Sequence, residues 1–287
     1  MGYRIFTDSS ADIKPGILES WGVKSLPLAY RFTDDEVMHT DADMPIEEFY
    51  NEMKAGRVAK TSAVNTETFR EAFEESLKAG EDVLYIGFSS GLSSTYSAAH
   101  LAALSLCEAY PERTIVTVDT LAASAGQGLL VYLAVEKKNA GATLEEVATY
   151  VEETKLQLSH WFTVDDLVYL KRGGRVSAAA AFFGNMLGVK PVLHVDNEGH
   201  LTPVMKVRGR RTSLTAIVDK YGETALDPKN GPIFISHAQC MADVDFVAAE
   251  IEKRYGNKVA LITDVGPVIG SHAGPGTFAF FFLAKER

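Results

Sequence analysis

The chain has 287 residues, enough for one large or two medium domains. Hydrophobic residues make up 46% and charged residues 23%, an ordinary globular balance that can build a core without a metal or disulfide staple. A net charge of −10 argues against a nucleic-acid binder, because a phosphate backbone selects a basic face.

The opening stretch MGYRIFTDSS reads as a strand and a turn, not as a signal peptide, and Phe6 stands where myristoylation would need Ser or Thr. No run of about 18 apolar residues occurs, so no membrane span is expected. Several segments then share one pattern: a short apolar run, a loop rich in Ser, Thr, Asp or Gly, and a helical stretch. YRIF-TDSSAD, VLYI-GFSSGLSS at 83–94, TIVTV-DTLAAS at 114–124 and PIFIS-HAQC at 232–240 all follow it. Strands alternating with helices predict βαβ units and a largely parallel sheet.

A helix near 145–158 is predicted from Val147, Tyr150, Val151 and Leu158, with Thr143 as N-cap and Glu146 completing a capping box. Thr66 is expected to cap another. A helix over 242–255 carries a buried stripe of Val244, Val247, Ala248, Ile251 and Tyr255. KPVLHVDNEGHLTPVMKV predicts a β-hairpin around an Asn/Gly turn. GTFAFFFLA is apolar on both alternating faces, as in a strand covered on both sides. The texture changes after about residue 160, which predicts an α/β protein of two domains, 1–160 and 161–287. The two cysteines, Cys107 and Cys240, lie in or beside apolar helical stretches. Buried free thiols in a reducing cytoplasm are expected.

Motifs narrow the chemistry. GFSSG at 87–91 fits the nucleophile elbow of a serine hydrolase, with Ser89 as nucleophile and Asp264 and His272 following in hydrolase order. The helix, however, is expected to start near Ser93 rather than directly after Ser89, which favours an anion site of serine hydroxyls and helix-start N–H groups. AKTSAVNTETF holds Thr61 and Ser62 ahead of a helix and unexplained by it. LKRGGRVS at 170–177 and KVRGRR at 206–211 hold seven of the 28 Lys and Arg residues, a density that suits solvated loops or the docking of an acidic partner or nucleotide. His194, His200 and His237 show no metal-ligand spacing, and no dinucleotide or P-loop motif occurs. In VIGSHAGPGTFAFFF the lone His272 sits at the edge of a large apolar surface, which suits a molecule with a polar head and an oily body.

FTDSSADI, KTS at 60–62, SSGLSSTY, VDTLAASAGQGLLV, VDDLVYLKRGGRVS, KPVL, KVRGRR and GPVIGSHAGPG occur in this order along nearly the whole chain. Together they resemble the DegV family of bacterial fatty-acid-binding proteins. The resemblance implies a two-domain α/β fold, a long-chain fatty acid as ligand with its acyl chain in a tunnel of the C-terminal domain, a carboxylate near the domain interface, and no cofactor or catalysis. It implies that the carboxylate contacts fall on Thr61, Ser93 and His272, with backbone N–H groups of Ser62 and Ser94. Ala63 replaces a frequent Gln, and Ser94 a usual Gly. Ile269, Phe278, Phe280, Phe282, Phe182 and Phe183 are candidates for the tunnel wall. Some family members hand their ligand to a fatty acid kinase that makes an acyl phosphate. Lys171, Arg172, Arg175 and Arg208 are candidates for docking such a kinase. The competing expectation is a hydrolase of acyl esters acting through Ser89.

Overall fold

The computed structural model describes residues 2–177 and 188–287, so Phe182 and Phe183 lie outside the described residues. The first half runs β1 (Tyr3–Asp8), α1 (Pro15–Ser20), β2 (Val23–Leu26), β3 (Ala29–Phe32), α2 (Ile46–Lys54), β4 (Ala59–Ser62), α3 (Thr66–Lys78), β5 (Asp82–Gly87), α4 (Thr95–Ala109), β6 (Ile115–Asp119), α5 (Ala125–Asn139) and α6 (Leu144–Thr154). The second runs β7 (Leu158–Thr163), α7 (Val168–Arg172), β8 (Val189–Val195), β9 (Leu201–Arg208), α8 (Arg210–Thr224), β10 (Phe234–His237), α9 (Met241–Tyr255), β11 (Leu261–Asp264), α10 (Pro267–Ala273) and β12 (Phe278–Leu283).

Three sheets form. A parallel sheet has the order β2-β1-β5-β6, and a mixed sheet the order β11-β10-β12-β7-β8-β9. β3 and β4 make a small antiparallel pair. Strand alternation distributes the core. Val83 and Tyr85 face α3 and α4, packing with Phe69, Phe73, Ala99 and Leu106. Leu84 and Ile86 face the other way, onto α5 and α6, and that cluster continues to Leu193, Phe234 and Phe281 of the mixed sheet. The far side of the mixed sheet is covered by α8 and α9, through Leu214, Ile217, Val244, Val247 and Ile251. The layers are therefore helix, sheet, helix, sheet, helix, with α5 and α6 between the sheets.

Local chemistry accounts for most element ends. The Thr143–Glu146 capping box is present. Asn65, not Thr66, caps α3, because its side chain accepts from Thr68 N–H. α6 stops at Thr154, and Leu158 opens β7 instead of extending the helical stripe. The expected division at 160 falls inside β7, which pairs along its length with β12 and then with β8. Cys107 is exposed rather than buried, since the Ala-rich α4 also leaves Leu101 and Leu104 in solvent; Cys240 is half-buried, and both thiols are free.

Candidate functional site

β4 and α10, far apart in sequence, meet at one point. The Thr61 hydroxyl lies 2.8 Å from Nε2 of His272. Burial, with a smaller contribution from the nearby Arg175 charge, holds His272 down to about 4, so its ring is neutral at physiological pH. Its other nitrogen, Nδ1, is buried without a hydrogen-bond partner among the described residues. Gly173 packs directly on that edge of the ring, where an added Cβ would fall 2.1 Å from Nδ1.

The start of α4 supplies a third element. Ser93 Oγ accepts from Thr95 N–H at 3.2 Å and lies 2.9 Å from the Thr95 hydroxyl. Ser94 follows, exposed, at the helix entrance. Arg175 closes this side by donating from Nε (3.2 Å) and Nη2 (2.8 Å) to the Leu92 carbonyl. Its Nη1 donates to the Gly173 carbonyl at 2.5 Å.

Thr61, Ser93, Ser94, Arg175, His272 and Ile269 all line one cavity of about 250 Å³. Ser62 is exposed and does not line it. The remaining wall is chiefly apolar, including Leu28, Phe88, Leu92, Phe162, Leu170, Val195, Leu201, Val268 and Phe281. Residues from both halves contribute, so among the described residues the cavity lies between the sheets and not within the second half alone. β12 divides its side chains by alternation. Phe281 and Ala279 face the cavity, whereas Phe278, Phe280 and Phe282 point to the opposite core against α8 and α9. Phe280 and Phe282 stack edge-on with Tyr221 there. These three are core and not cavity wall. Phe281, missed in the sequence, is the residue that the period of two selects once one face is fixed.

Of the four docking candidates, Lys171, Arg172 and Arg208 are exposed, and Arg175 turns inward. Burial lowers the Arg175 pKa from its usual value. A density of positive charge in sequence reads as surface, yet backbone carbonyls draw this one guanidinium into the wall.

Ser89 is fully buried, and its hydroxyl donates to the Gly199 carbonyl at 3.0 Å. His272 is engaged with Thr61 instead, and Asp264 lies 3.9 Å from His237. No nucleophile–base pair is formed at Ser89, so the hydrolase reading has no geometric support. Ser89 instead fastens the β8–β9 turn to the first sheet. The opening FTDSS motif is also structural. Asp8 accepts from Tyr85 OH (2.6 Å), Phe88 N–H (3.1 Å) and Gln127 Nε2 (3.2 Å), and from the Ser10 hydroxyl. Burial raises its carboxyl pKa, against which these hydrogen bonds work.

Among the described residues no group of three or more His, Cys, Asp or Glu is placed to share a metal ion. Nor is any helix among them long and apolar enough to cross a membrane.

A family model described as "Uncharacterised protein, DegV family" matches residues 3–285. A DegV domain-containing protein of Clostridium perfringens is 42% identical, the match covering 99% of this chain and 98% of that one. A solved structure of a DegV lipid-binding protein from Thermotoga maritima is similar with a TM-score of 0.86 and 32% identity, covering 100% of both chains. Another, of fatty acid binding by a DegV family protein from Thermus thermophilus, has a TM-score of 0.89 and 30% identity, covering 99% of this chain and 100% of that one. Over essentially its whole length, the chain belongs to the DegV family.

Proposed function

We propose that this protein binds a long-chain fatty acid, with its acyl chain along the apolar wall and its carboxylate at Thr61, Ser93 and His272. The observation that carries this reading is a mostly apolar cavity whose wall brings the Thr61 and Ser93 hydroxyls together with a neutral His272 imidazole. The similarity to the Thermus and Thermotoga lipid binders supports it. A carboxylate leaving water needs hydrogen bonds in return. Thr61 can accept from Nε2–H of His272 while donating its own proton to the carboxylate, and the start of α4 adds N–H groups, that of Ser94 among them. A chain of 16 carbons would gain roughly 0.8 kcal/mol per buried CH₂, on the order of 12 kcal/mol before binding costs. The tail then provides affinity and the head group orientation.

The reading extends to delivery. Lys171 and Arg172 are exposed and directly precede Gly173, which touches His272. A partner kinase docking on them would stand next to the carboxylate, and acyl-phosphate formation would follow in a cytoplasmic setting. Arg208 is a further exposed candidate. In the same reading the chain divides near residue 160 into a unit bearing the head-group loops and a unit bearing most of the acyl path. Mass spectrometry of the protein as purified, with isothermal titration of a delipidated sample against palmitate, tests the first step. The absence of both a co-purified acid and saturable binding would overturn it.

A further inference from the structure

The acyl cavity is not apolar throughout. His160, on β7, lines it while only 1% exposed, and among the described residues neither of its ring nitrogens has a hydrogen-bond partner. Register places it away from the head group. Thr277, which donates to the Ala273 carbonyl beside His272, immediately precedes β12. Phe281, four residues on, is the direct cross-strand partner of His160. At about 3.3 Å per residue, this sets His160 roughly 13 Å along the strand from Thr277.

Other polar groups line the cavity with it. Ser124 Oγ and Ser236 Oγ are 2.8 Å apart, both buried and both on the wall. The Ser124 hydroxyl also donates to Asp12, so this pair is already satisfied and rigid. Ser124 is the residue before α5, and Gly126 in the first turn of α5 packs on His160, where an added Cβ would lie 2.6 Å from Nε2. Burial holds the His160 pKa well below the usual value, so the ring is neutral. A neutral imidazole offers one N–H donor and one acceptor nitrogen, which is the complement of a hydroxyl and a poor match for a second carboxylate.

We propose that His160 is a second recognition point, by which the cavity takes an acyl chain carrying a mid-chain hydroxyl. This rests on the fatty-acid reading above. An oxygen inserted into a purely apolar tunnel loses its water and receives nothing in exchange. Here the same oxygen would satisfy an imidazole that is otherwise buried without a partner, and the penalty would fall on chains that lack it.

The test is isothermal titration of delipidated protein with stearic acid and with a positional series of monohydroxystearic acids, on wild type, His160→Leu and His160→Gln. In wild type, one isomer or two adjacent ones should bind at least as tightly as stearate, the others clearly less. His160→Leu should weaken the favoured isomer by about tenfold and leave stearate unchanged or tighter; His160→Gln should keep part of the preference. If wild type and His160→Leu rank the series alike while both bind stearate, the second recognition point is wrong and the fatty-acid reading stands. Should no acid bind wild type, stearate included, both readings fall together.

Discussion

Nε2 of His272 and the hydroxyl of Thr61 stand 2.8 Å apart across 211 residues of chain. Each fixes the other. Thr61→Ala removes a hydrogen bond to the bound carboxylate and also frees Nε2, so affinity for palmitate should fall by about 1.5–3 kcal/mol. Ser93→Ala should weaken binding to a similar extent. It should in addition cost about 1 kcal/mol of stability, because Ser93 Oγ also holds Thr95 N–H at the start of α4. Titration calorimetry and urea unfolding on both variants separate these effects. Unchanged affinity in both would remove the pair from the carboxylate site.

His272 gives the fold a pH dependence of known sign. Its folded pKa is about 4, below the usual 6.5, because burial disfavours the charged ring. Between these values the unfolded chain takes up a proton that the folded chain does not. The contribution is therefore complete above pH 6.5, falls as pH drops toward 4, and amounts to about 3 kcal/mol at most. Urea unfolding of ligand-free wild type and His272→Gln through this window should show a shallower decline for Gln. Parallel profiles would mean that the ring is not buried neutral.

Gly173 offers a sharper probe of the same ring. Its φ is −72°, so Ala fits the backbone without strain. The new methyl would still fall 2.1 Å from Nδ1 of His272. Gly173→Ala should displace the imidazole and weaken fatty-acid binding about as much as His272→Ala does, with the melting temperature changing far less than affinity. Wild-type affinity would show that the ring can shift without consequence.

The alternation along β12 separates wall from core. Phe281→Ala enlarges the cavity and should move the preferred acyl length upward. Phe280→Ala should leave that preference alone and cost about 3–5 kcal/mol of stability, as deletion of a fully buried ring does. A titration series over acyl length, run beside urea unfolding, reads both. A shifted length optimum in the Phe280 variant would reverse the assignment of faces.

That alternation also marks how far sequence carries. Repeated strand–loop–helix units specify the parallel sheet because period and loop chemistry are local. The helical spacing of Val147, Val151 and Leu158 (i, i+4, i+11) is also local, and it misleads, since nothing such as Gly or Pro marks the stop at Thr154. Which face of β12 meets the cavity depends on pairing with β7, a contact over more than a hundred residues. His160 and Ser236 are polar residues in largely apolar strands, and only the register brings them to one cavity. Thr61, Ser93 and His272 are legible because each stands in a hydroxyl- or glycine-rich stretch of sequence, although the fold puts Thr61 on β4 and His272 on α10.

Arg172 and Arg175 lie three residues apart and should fail in different assays. Arg172 is exposed and stacks loosely over Tyr169, with 5.6 Å from its guanidinium carbon to the ring centroid. Arg175 lines the cavity and holds the Leu92 carbonyl from two nitrogens. Arg172→Ala should leave fatty-acid affinity within error. With a cognate fatty acid kinase and ATP, it should slow acyl-phosphate formation and flatten the salt dependence of that rate, because exposed charges act mainly on association. Arg175→Ala should instead lose fatty-acid affinity, since the turn before α4 loses its tie and Ser93 moves with it. The two assays must share one preparation, so that a misfolded variant, failing both, is recognised. If Arg172→Ala lost fatty-acid binding while Arg175→Ala kept it, the basic cluster would be divided the wrong way. Equal loss of kinase turnover in both, with binding intact, would make Arg175 part of the docking surface despite its place in the wall.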